Sequence, residues 1–146
     1  MNDAPAAGTL EKGRHRFPVR VYYEDTDFSG FVYHASYLRF LERGRTELLR
    51  ALSFDQSAVH AGQAEGFVFV VRRIAVEYLR PARMDDILVV ETAPQTIKAA
   101  SVELSQDILC EGERILACRV LVAAVSGGRP RRLPNELRAK FAQLAD

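Results

Sequence analysis

One long helical repeat, flanked by stretches of alternating polarity, limits the folds open to this chain. From about Ser36 the apolar residues Tyr37, Leu41, Leu48 and Leu52 recur at the spacing of a helix with one buried face. No other repeat of this length precedes the carboxyl-terminal segment. The rest of the core must therefore come from strands that pack around this helix.

Five stretches have the alternation or the apolar runs typical of strands. They are residues 19–23, 67–78, 87–92, 101–109 and 115–125. The last is apolar on both faces near its end, which predicts a central or doubly covered strand. A short terminal helix is predicted within residues 134–146, because Leu137, Phe141 and Leu144 are spaced by four and three. This order predicts an α+β domain whose antiparallel sheet curls around one long helix.

Length and charge narrow the class of protein. At 146 residues the chain fits one domain, predicted at 18–146 after a flexible segment 1–17. The sequence has neither an apolar run of about 18 residues nor the apolar core of a secretory signal, which favours a cytoplasmic protein without membrane insertion. With 20 Lys and Arg against 19 Asp and Glu, the net charge of +1 predicts no nucleic-acid partner.

The cysteines and histidines give no sign of a metal site. Cys110 and Cys118 lie asymmetrically about a predicted hairpin turn at 111–113, so they are expected to be free thiols in a reducing compartment. Neither a CxxC motif nor a Cys/His cluster is present, which argues against zinc. His15 and His60 fall in predicted flexible or connecting segments and are expected to be solvated.

The acidic segment 24–27 carries the strongest chemical signal. Asp25 and Asp27 lie between a predicted strand and the start of the long helix, and buried carboxylates are costly unless they are paired or functional. A helix that begins near residues 34–36 points unpaired backbone N–H groups at the same loop. Thioester hydrolysis requires amides that stabilise an oxyanion and a carboxylate that attacks the carbonyl or deprotonates water.

Two other interpretations of this segment stay open. The carboxylates could simply cap a turn. Asp25, Asp27, Ser29 and Gly30 also occupy positions one, three, five and six of a calcium loop, but position twelve is Ser36 instead of a bidentate Glu. The preceding element is also a predicted strand instead of a helix, so the calcium interpretation is the weakest of the three.

A family resemblance runs through the same segment and the helix. It is carried by VRVYYEDTD at 19–27, Gly30, VYHASY at 32–37 and ERGRTE at 42–47, and it extends into the tail at 129–134. These stretches resemble the Tol-Pal-associated acyl-CoA thioesterases of the 4-hydroxybenzoyl-CoA thioesterase-like hotdog family. The resemblance implies a hotdog thioesterase domain at 18–146 that hydrolyses acyl-CoA to a carboxylic acid and free CoA, without a metal or redox cofactor. It also implies a homodimer or homotetramer with active sites at the subunit interface.

The resemblance implies catalytic positions as well. The family's catalytic carboxylate matches Asp27, which acts as a nucleophile through an anhydride or as a general base. The backbone N–H that polarises the carbonyl matches His34, whose imidazole is expected to have a structural or hydrogen-bonding role. Phe28 and Ser29 stand where the family usually has small residues, which leaves the acyl preference open.

Four residues are predicted to bind the substrate. Gly30 belongs to the matched motif beside the carboxylate, and Lys98, Arg131 and Arg132 are candidates for the coenzyme A phosphates. Ordinary solvated charge explains the three basic residues equally well.

Two rival functions remain. A non-catalytic hotdog module that binds acyl-CoA or acyl-carrier protein would keep the pocket without needing Asp27. A hotdog dehydratase or hydratase would combine a His with an acidic residue across the cleft, and no such pattern is evident. Thioester hydrolysis is therefore the preferred function.

Overall fold

The computed structural model describes residues 3–52 and 66–145. Its strands are β1 (Thr9–Glu11), β2 (Arg14–Arg20), β3 (Val68–Tyr78), β4 (Ile87–Ile97), β5 (Ser101–Cys110), β6 (Glu113–Ser126) and β7 (Arg129–Pro130). Its helices are α1 (Ser36–Ala51), α2 (Asn135–Ala145) and a 3-10 turn at Tyr23–Asp25. Within these described ranges, no helix has the length and apolar character needed to cross a membrane.

The described strands form one antiparallel sheet that curves around α1. The strand order is β1-β2-β4-β5-β6-β3, with β7 paired to β6. Strand β6 lies between β5 and β3, and its residues Val122, Ala123 and Ala124 are buried, which confirms the prediction of a central strand. The architecture is the predicted α+β arrangement of a sheet wrapped around one long helix.

The buried face of α1 packs against the sheet. The helix begins at Ser36 as predicted, and Phe40, Leu41 and Leu48 are buried in the core. Gly44 allows a close approach, because a Cβ atom at this position would lie 2.6 Å from Cγ1 of Val90 in β4. A larger side chain at residue 44 would therefore displace the helix from the sheet.

A buried amide ties α1 to the strands beneath it. The Nε2 group of Gln106 in β5 donates to the Leu41 carbonyl at 2.9 Å and to Oγ1 of Thr92 at 3.0 Å. Its Oε1 atom accepts a hydrogen bond from Nη1 of Arg45 at 3.0 Å. Because its N–H and C=O groups all have partners, the amide of Gln106 is stable in the core and fixes the position of the helix along the sheet.

The predicted boundary at residue 18 between a flexible segment and the folded domain is wrong. Residues 14–17 belong to β2 and not to a flexible segment, and β1 precedes them. His15 is fully buried, with Nε2 placed 3.0 Å from the Ala7 carbonyl oxygen, so the expectation of a solvated His15 is wrong too. A buried polar residue and the nearby Pro18 conceal the alternation on which strand prediction depends.

Two strand ends also differ from the prediction. Strand β2 ends at Arg20, because a 3-10 turn follows and leaves Tyr22 and Tyr23 exposed. Strand β4 continues beyond Thr92 to Ile97. A register shift against β5 just after Pro94 accommodates the proline, which cannot donate to a regular ladder.

The two cysteines are free thiols, as predicted. Cys118 pairs with Gln106 across the β5–β6 ladder and Cys110 pairs with Glu113, so the thiols do not face each other. His60, expected to be solvated, lies outside the described residues.

Candidate active site

The first carboxylate of the acidic segment has a structural position. Asp25 is only 4% exposed, and its Oδ2 atom accepts the Tyr22 N–H at 2.8 Å, which closes the 3-10 turn. Its backbone carbonyl accepts the N–H of Tyr33 at 2.9 Å. Asp25 therefore behaves as the turn-capping interpretation predicted.

Asp27 lies in an exposed turn that reverses the chain toward α1. The Gly30 N–H donates to the Asp27 carbonyl at 3.0 Å, and the Asp27 N–H donates to the Phe31 carbonyl at 3.0 Å. Gly30 has a φ of +87°, which residues with a side chain rarely adopt. A bridge between Thr26 and Val32 extends the pairing. Because the returning arm leads directly into α1, Asp27 lies near the start of that helix.

The backbone at the start of α1 offers an unpaired amide. Among the described residues the His34 N–H has no hydrogen-bond acceptor, whereas the His34 carbonyl accepts the hydroxyl of Tyr78 at 2.8 Å. Burial raises the pKa of Tyr78, so its phenol stays protonated and remains a donor. The His34 imidazole is exposed and lies 4.5 Å from the ring of Tyr33. The amide is therefore free to donate to a ligand oxygen.

The carboxylate of Asp27 is held in its ionised form. Its Oδ1 atom accepts both the Ser29 N–H at 2.8 Å and the Ser29 hydroxyl at 2.5 Å. These two bonds are the main reason that the pKa of Asp27 lies below its ordinary value, and the nearby charge of His34 acts in the same direction. An exposed anion therefore lies close enough to His34, at the start of α1, for their charges to interact.

The calcium-loop interpretation finds no support in this geometry. The carboxylate of Asp25 is used by its own 3-10 turn, and Asp27 and Ser29 bond to each other. In residues 3–52 and 66–145, no three His, Cys, Asp or Glu side chains form a group that could hold a metal ion.

The predicted phosphate-binding residues lie at the other end of the sheet from Asp27. Asp27 follows β2, whose last residue Arg20 pairs with Ile87 at the beginning of β4, whereas Lys98 follows the end of β4. Strand β4 has 11 residues, which corresponds to about 35 Å at the usual rise of a strand. One chain alone therefore places Gly30 and His34 near Asp27 but not Lys98.

The fold brings the three predicted phosphate-binding residues Lys98, Arg131 and Arg132 close to one another. The Leu133 N–H donates to the Ala99 carbonyl at 2.8 Å, which joins the β4–β5 turn to the tail. We call the resulting cluster of Lys98, Arg131 and Arg132 the basic turn. Lys98 and Arg132 are exposed, and Arg131 is half-buried.

A cavity of about 350 Å³ opens between α1 and β3. It is lined by Glu42, Arg45, Thr46, Leu48, Leu49, Phe69, Val70, Val71, Leu104, Val122 and Phe141. Eight of the eleven lining residues are apolar and could contact an alkyl or aryl group, whereas Glu42, Arg45 and Thr46 make part of the wall polar. Asp27 is not among the lining residues, so the cavity and the carboxylate are separate in a single chain.

Two residues beside Asp27 and His34 were not predicted as parts of the site. Ser29 was noted as a calcium-loop position and as a departure from the family pattern, although a Ser two residues after an Asp is also a recognisable turn signal. Tyr78 has no local signal, since it is 44 residues from His34 in the chain. Only the folded sheet brings Tyr78 to the helix start.

An antiparallel sheet wrapped around one long helix is the architecture of the hotdog-type thioesterases. The family model of the thioesterase superfamily matches residues 29–117. The acyl-CoA thioester hydrolase YbgC of Escherichia coli is 46% identical over 131 residues, which cover 88% of this chain and 96% of that protein. The chain belongs to the thioesterase superfamily, and it is a thioesterase with the hotdog fold.

Solved structures agree with this assignment. A probable thioesterase from Bartonella henselae is 41% identical, with a TM-score of 0.79 over 83% of this chain and 99% of that chain. A Thermus thermophilus thioesterase complexed with coenzyme A and Zn is 26% identical, with a TM-score of 0.76 over 89% of this chain and 92% of that chain. Asp27 precedes the residues matched by the family model, so its role is argued from the geometry of the site.

Proposed function

We propose that this protein hydrolyses acyl-CoA thioesters, with Asp27 acting at the thioester carbonyl and the His34 N–H binding its oxygen. One observation supports the proposal: the turn that carries the exposed, ionised carboxylate of Asp27 leads directly into the start of α1, where the His34 N–H has no acceptor among the described residues. The similarity to the acyl-CoA thioester hydrolase of Escherichia coli supports the substrate class. The coenzyme A complex of the Thermus thermophilus thioesterase supports it further.

The reaction follows from these two groups. The His34 N–H stabilises the negative charge that develops on the carbonyl oxygen as the carbon becomes tetrahedral. Asp27 either attacks that carbon to give an anhydride, which water then hydrolyses, or takes a proton from the attacking water. In both routes one water is consumed and the C–S bond breaks. Coenzyme A leaves as a thiol and the acyl group leaves as a carboxylic acid.

The proposed enzyme is a homodimer formed through β3. This strand is one edge of the described sheet, and Val68, Val70, Val71 and Ile74 on it are exposed. A long apolar edge strand favours pairing with a second copy. The other described edge, β1, has only three residues and offers little to pair with. A homotetramer would add a second interface between two such dimers.

Antiparallel pairing would also complete the substrate site. It places the amino end of one β3 beside the carboxyl end of the other. The basic turn lies near the amino end, where Val68 pairs with Val125 in β6 and β7 follows. His34 contacts Tyr78 at the carboxyl end. The basic turn of one copy would therefore approach Asp27 of the other, where the coenzyme A phosphates need positive charge.

The function is tested by thiol release from a panel of acyl-CoAs. We expect Asp27→Asn to lower kcat at least about a hundredfold, since it removes the nucleophile or general base. Asp25→Asn is the matched control, because its effect should fall on thermal stability. Equal hydrolysis by the wild type and Asp27→Asn would remove the chemical basis of the proposal. Binding of acyl-CoA without any thiol release would support the non-catalytic module instead.

A cytoplasmic location is part of the proposal. The free thiols of Cys110 and Cys118 support a reducing compartment, and cell fractionation tests it. Association with the Tol-Pal system and use of acyl-carrier protein stay predictions from the family resemblance. Both predictions are checked by testing whether Tol-Pal components or acyl-carrier protein co-purify with this protein from cells that express it at its native level.

A further inference from the structure

We propose that Ser29 is a positioning residue of the active site, which fixes the Asp27 carboxylate so that Oδ2 is the oxygen that acts in the reaction. This inference rests on the proposed function, because it assigns Ser29 a role in that reaction. It concerns a position at which this chain departs from the family pattern.

Both donors of Ser29 converge on the same oxygen. The backbone N–H lies 2.8 Å and the hydroxyl 2.5 Å from Oδ1 of Asp27. A carboxylate oxygen has two lone pairs, so Oδ1 is fully engaged. Neither Ser29 bond uses Oδ2, and the Asp27 N–H adds only a smaller interaction with the carboxylate. The lone pairs of Oδ2 are therefore the ones available to a carbonyl carbon or a water molecule.

The backbone in turn orients the hydroxyl of Ser29. The Phe31 N–H donates to Oγ of Ser29 at 3.2 Å. With that lone pair occupied, the hydroxyl proton is directed at Asp27. Phe31 is itself held in the turn, because its carbonyl accepts the Asp27 N–H. The carboxylate, the hydroxyl and the returning arm of the turn thus form one connected set of hydrogen bonds.

The exposed carboxylate of Asp27 needs hydrogen bonds to restrict its motion. The side chain of Asp27 is solvent-exposed, so neighbouring side chains do not restrict its rotation by packing. Two bonds from one residue restrict that rotation and hold the group near the helix start. The same bonds favour the anionic form, which either proposed route requires.

The experiment compares Ser29→Ala, which keeps the backbone donor, with Ser29→Thr, which restores a hydroxyl. Ser105→Ala, in the middle of β5, is the control. Carbon-13 NMR gives the pH midpoint at which the Asp27 carboxyl group titrates, without reference to activity. The Asp27 signal is identified by its disappearance in Asp27→Asn. For Ser29→Ala we expect a raised midpoint and a kcat about three- to tenfold lower at little-changed KM. Ser29→Thr should restore the wild-type titration midpoint and kcat, and Ser105→Ala should change neither.

Each other outcome overturns the inference. An unchanged midpoint in Ser29→Ala means that the hydroxyl does not hold the carboxylate. A raised midpoint with an unchanged kcat means that the bond has no catalytic role. A wild type that releases no thiol from any acyl-CoA removes the proposed function and the role of Ser29 together. An active wild type with an equally active Ser29→Ala removes only the role of Ser29.

Discussion

The phenol of Tyr78 donates a hydrogen bond of 2.8 Å to the backbone carbonyl of His34, so that β3 holds the turn from which α1 starts. The ring of Tyr78 also packs against Tyr37 in the first turn of α1, with 5.6 Å between the ring centroids. The amide proposed to bind the substrate oxygen therefore depends for its orientation on a side chain from the edge strand. Any movement of β3 would therefore change the position of the His34 amide.

Removal of this hydroxyl should weaken catalysis more than folding. Tyr78→Phe keeps the ring contact and loses one hydrogen bond of about 0.5–1.5 kcal/mol, so kcat should fall about three- to tenfold. Steady-state kinetics and a thermal melt measure the two effects. Tyr23→Phe, at a tyrosine 79% exposed, is the matched control. A Tyr78→Phe enzyme with the kcat of the wild type would show that this bond does not position the amide.

A charge on the edge strand should break the proposed dimer. Ile74 is 38% exposed in β3, and Ile74→Lys places a charge on the apolar edge that each copy would use for pairing. The dimer Kd should rise at least about tenfold, with thiol release lost in parallel. Sedimentation velocity over a concentration series measures this. Leu10→Lys at β1, the other described edge, should leave the assembly intact, and an intact dimer in Ile74→Lys would place the interface elsewhere.

The contact at Gly44 should make a helix-favouring substitution harmful. Gly44→Ala gains about 1 kcal/mol of helix propensity, but its Cβ would lie 2.6 Å from Cγ1 of Val90, and overpacking costs about 1–3 kcal/mol. We expect a net loss of stability in urea denaturation. Adding Val90→Ala relieves the clash, so the double mutant should be more stable than the sum of the single effects. A stabilised Gly44→Ala would contradict this packing.

His15 should make stability depend on pH. Burial is the largest cause that lowers the pKa of His15, while its bond to Ala7 and the charge of Glu47 act in the opposite direction. Because the pKa is lower in the folded than in the unfolded chain, the unfolded chain binds more protons as the pH falls below about 6.5. The contribution of neutral, buried His15 to folding stability is therefore complete above that pH. It is lost as the pH falls toward the pKa of His15 in the folded chain.

The substitution His15→Gln tests this pH dependence. It should lower the free energy of unfolding at pH 7 by about 0.5–3 kcal/mol. It should also flatten the decline in stability between about pH 6.5 and 5. Denaturation curves at several pH values measure both quantities. If the two proteins decline in parallel, the titration of His15 is not coupled to folding.

The fold was predictable where burial follows a periodic pattern. The start of α1 at Ser36 was predicted, because Tyr37, Leu41 and Leu48 are apolar at helical spacing. The start of β2 was not predicted, because His15 is polar and yet buried. Its burial depends on Ala7 in a preceding loop, a tertiary contact that leaves no periodic signal.

The geometry of the candidate site was predictable only where its proposed residues are close in the chain. Asp27 and His34 flank one turn, so their proximity follows from the strand and helix around them. Lys98 was grouped with them because of its charge, but the full length of β4 lies between Lys98 and the Asp27 end of the sheet. Whether a second copy closes that distance depends on the exposed edge of β3, which sequence patterns do not identify as an edge.

Strand β2 is joined to β4 by a 2.8 Å hydrogen bond from Nε of Arg16 to the carboxylate of Glu91, 75 residues further along the chain. During synthesis on the ribosome, β2 therefore emerges long before the strand that it pairs with. Closing so long a loop slows the final assembly of the sheet. Until β4 to β6 have been made, the nascent polypeptide presents the apolar stripe of α1 to the surrounding water, and at that stage it is most open to aggregation or to capture by a chaperone.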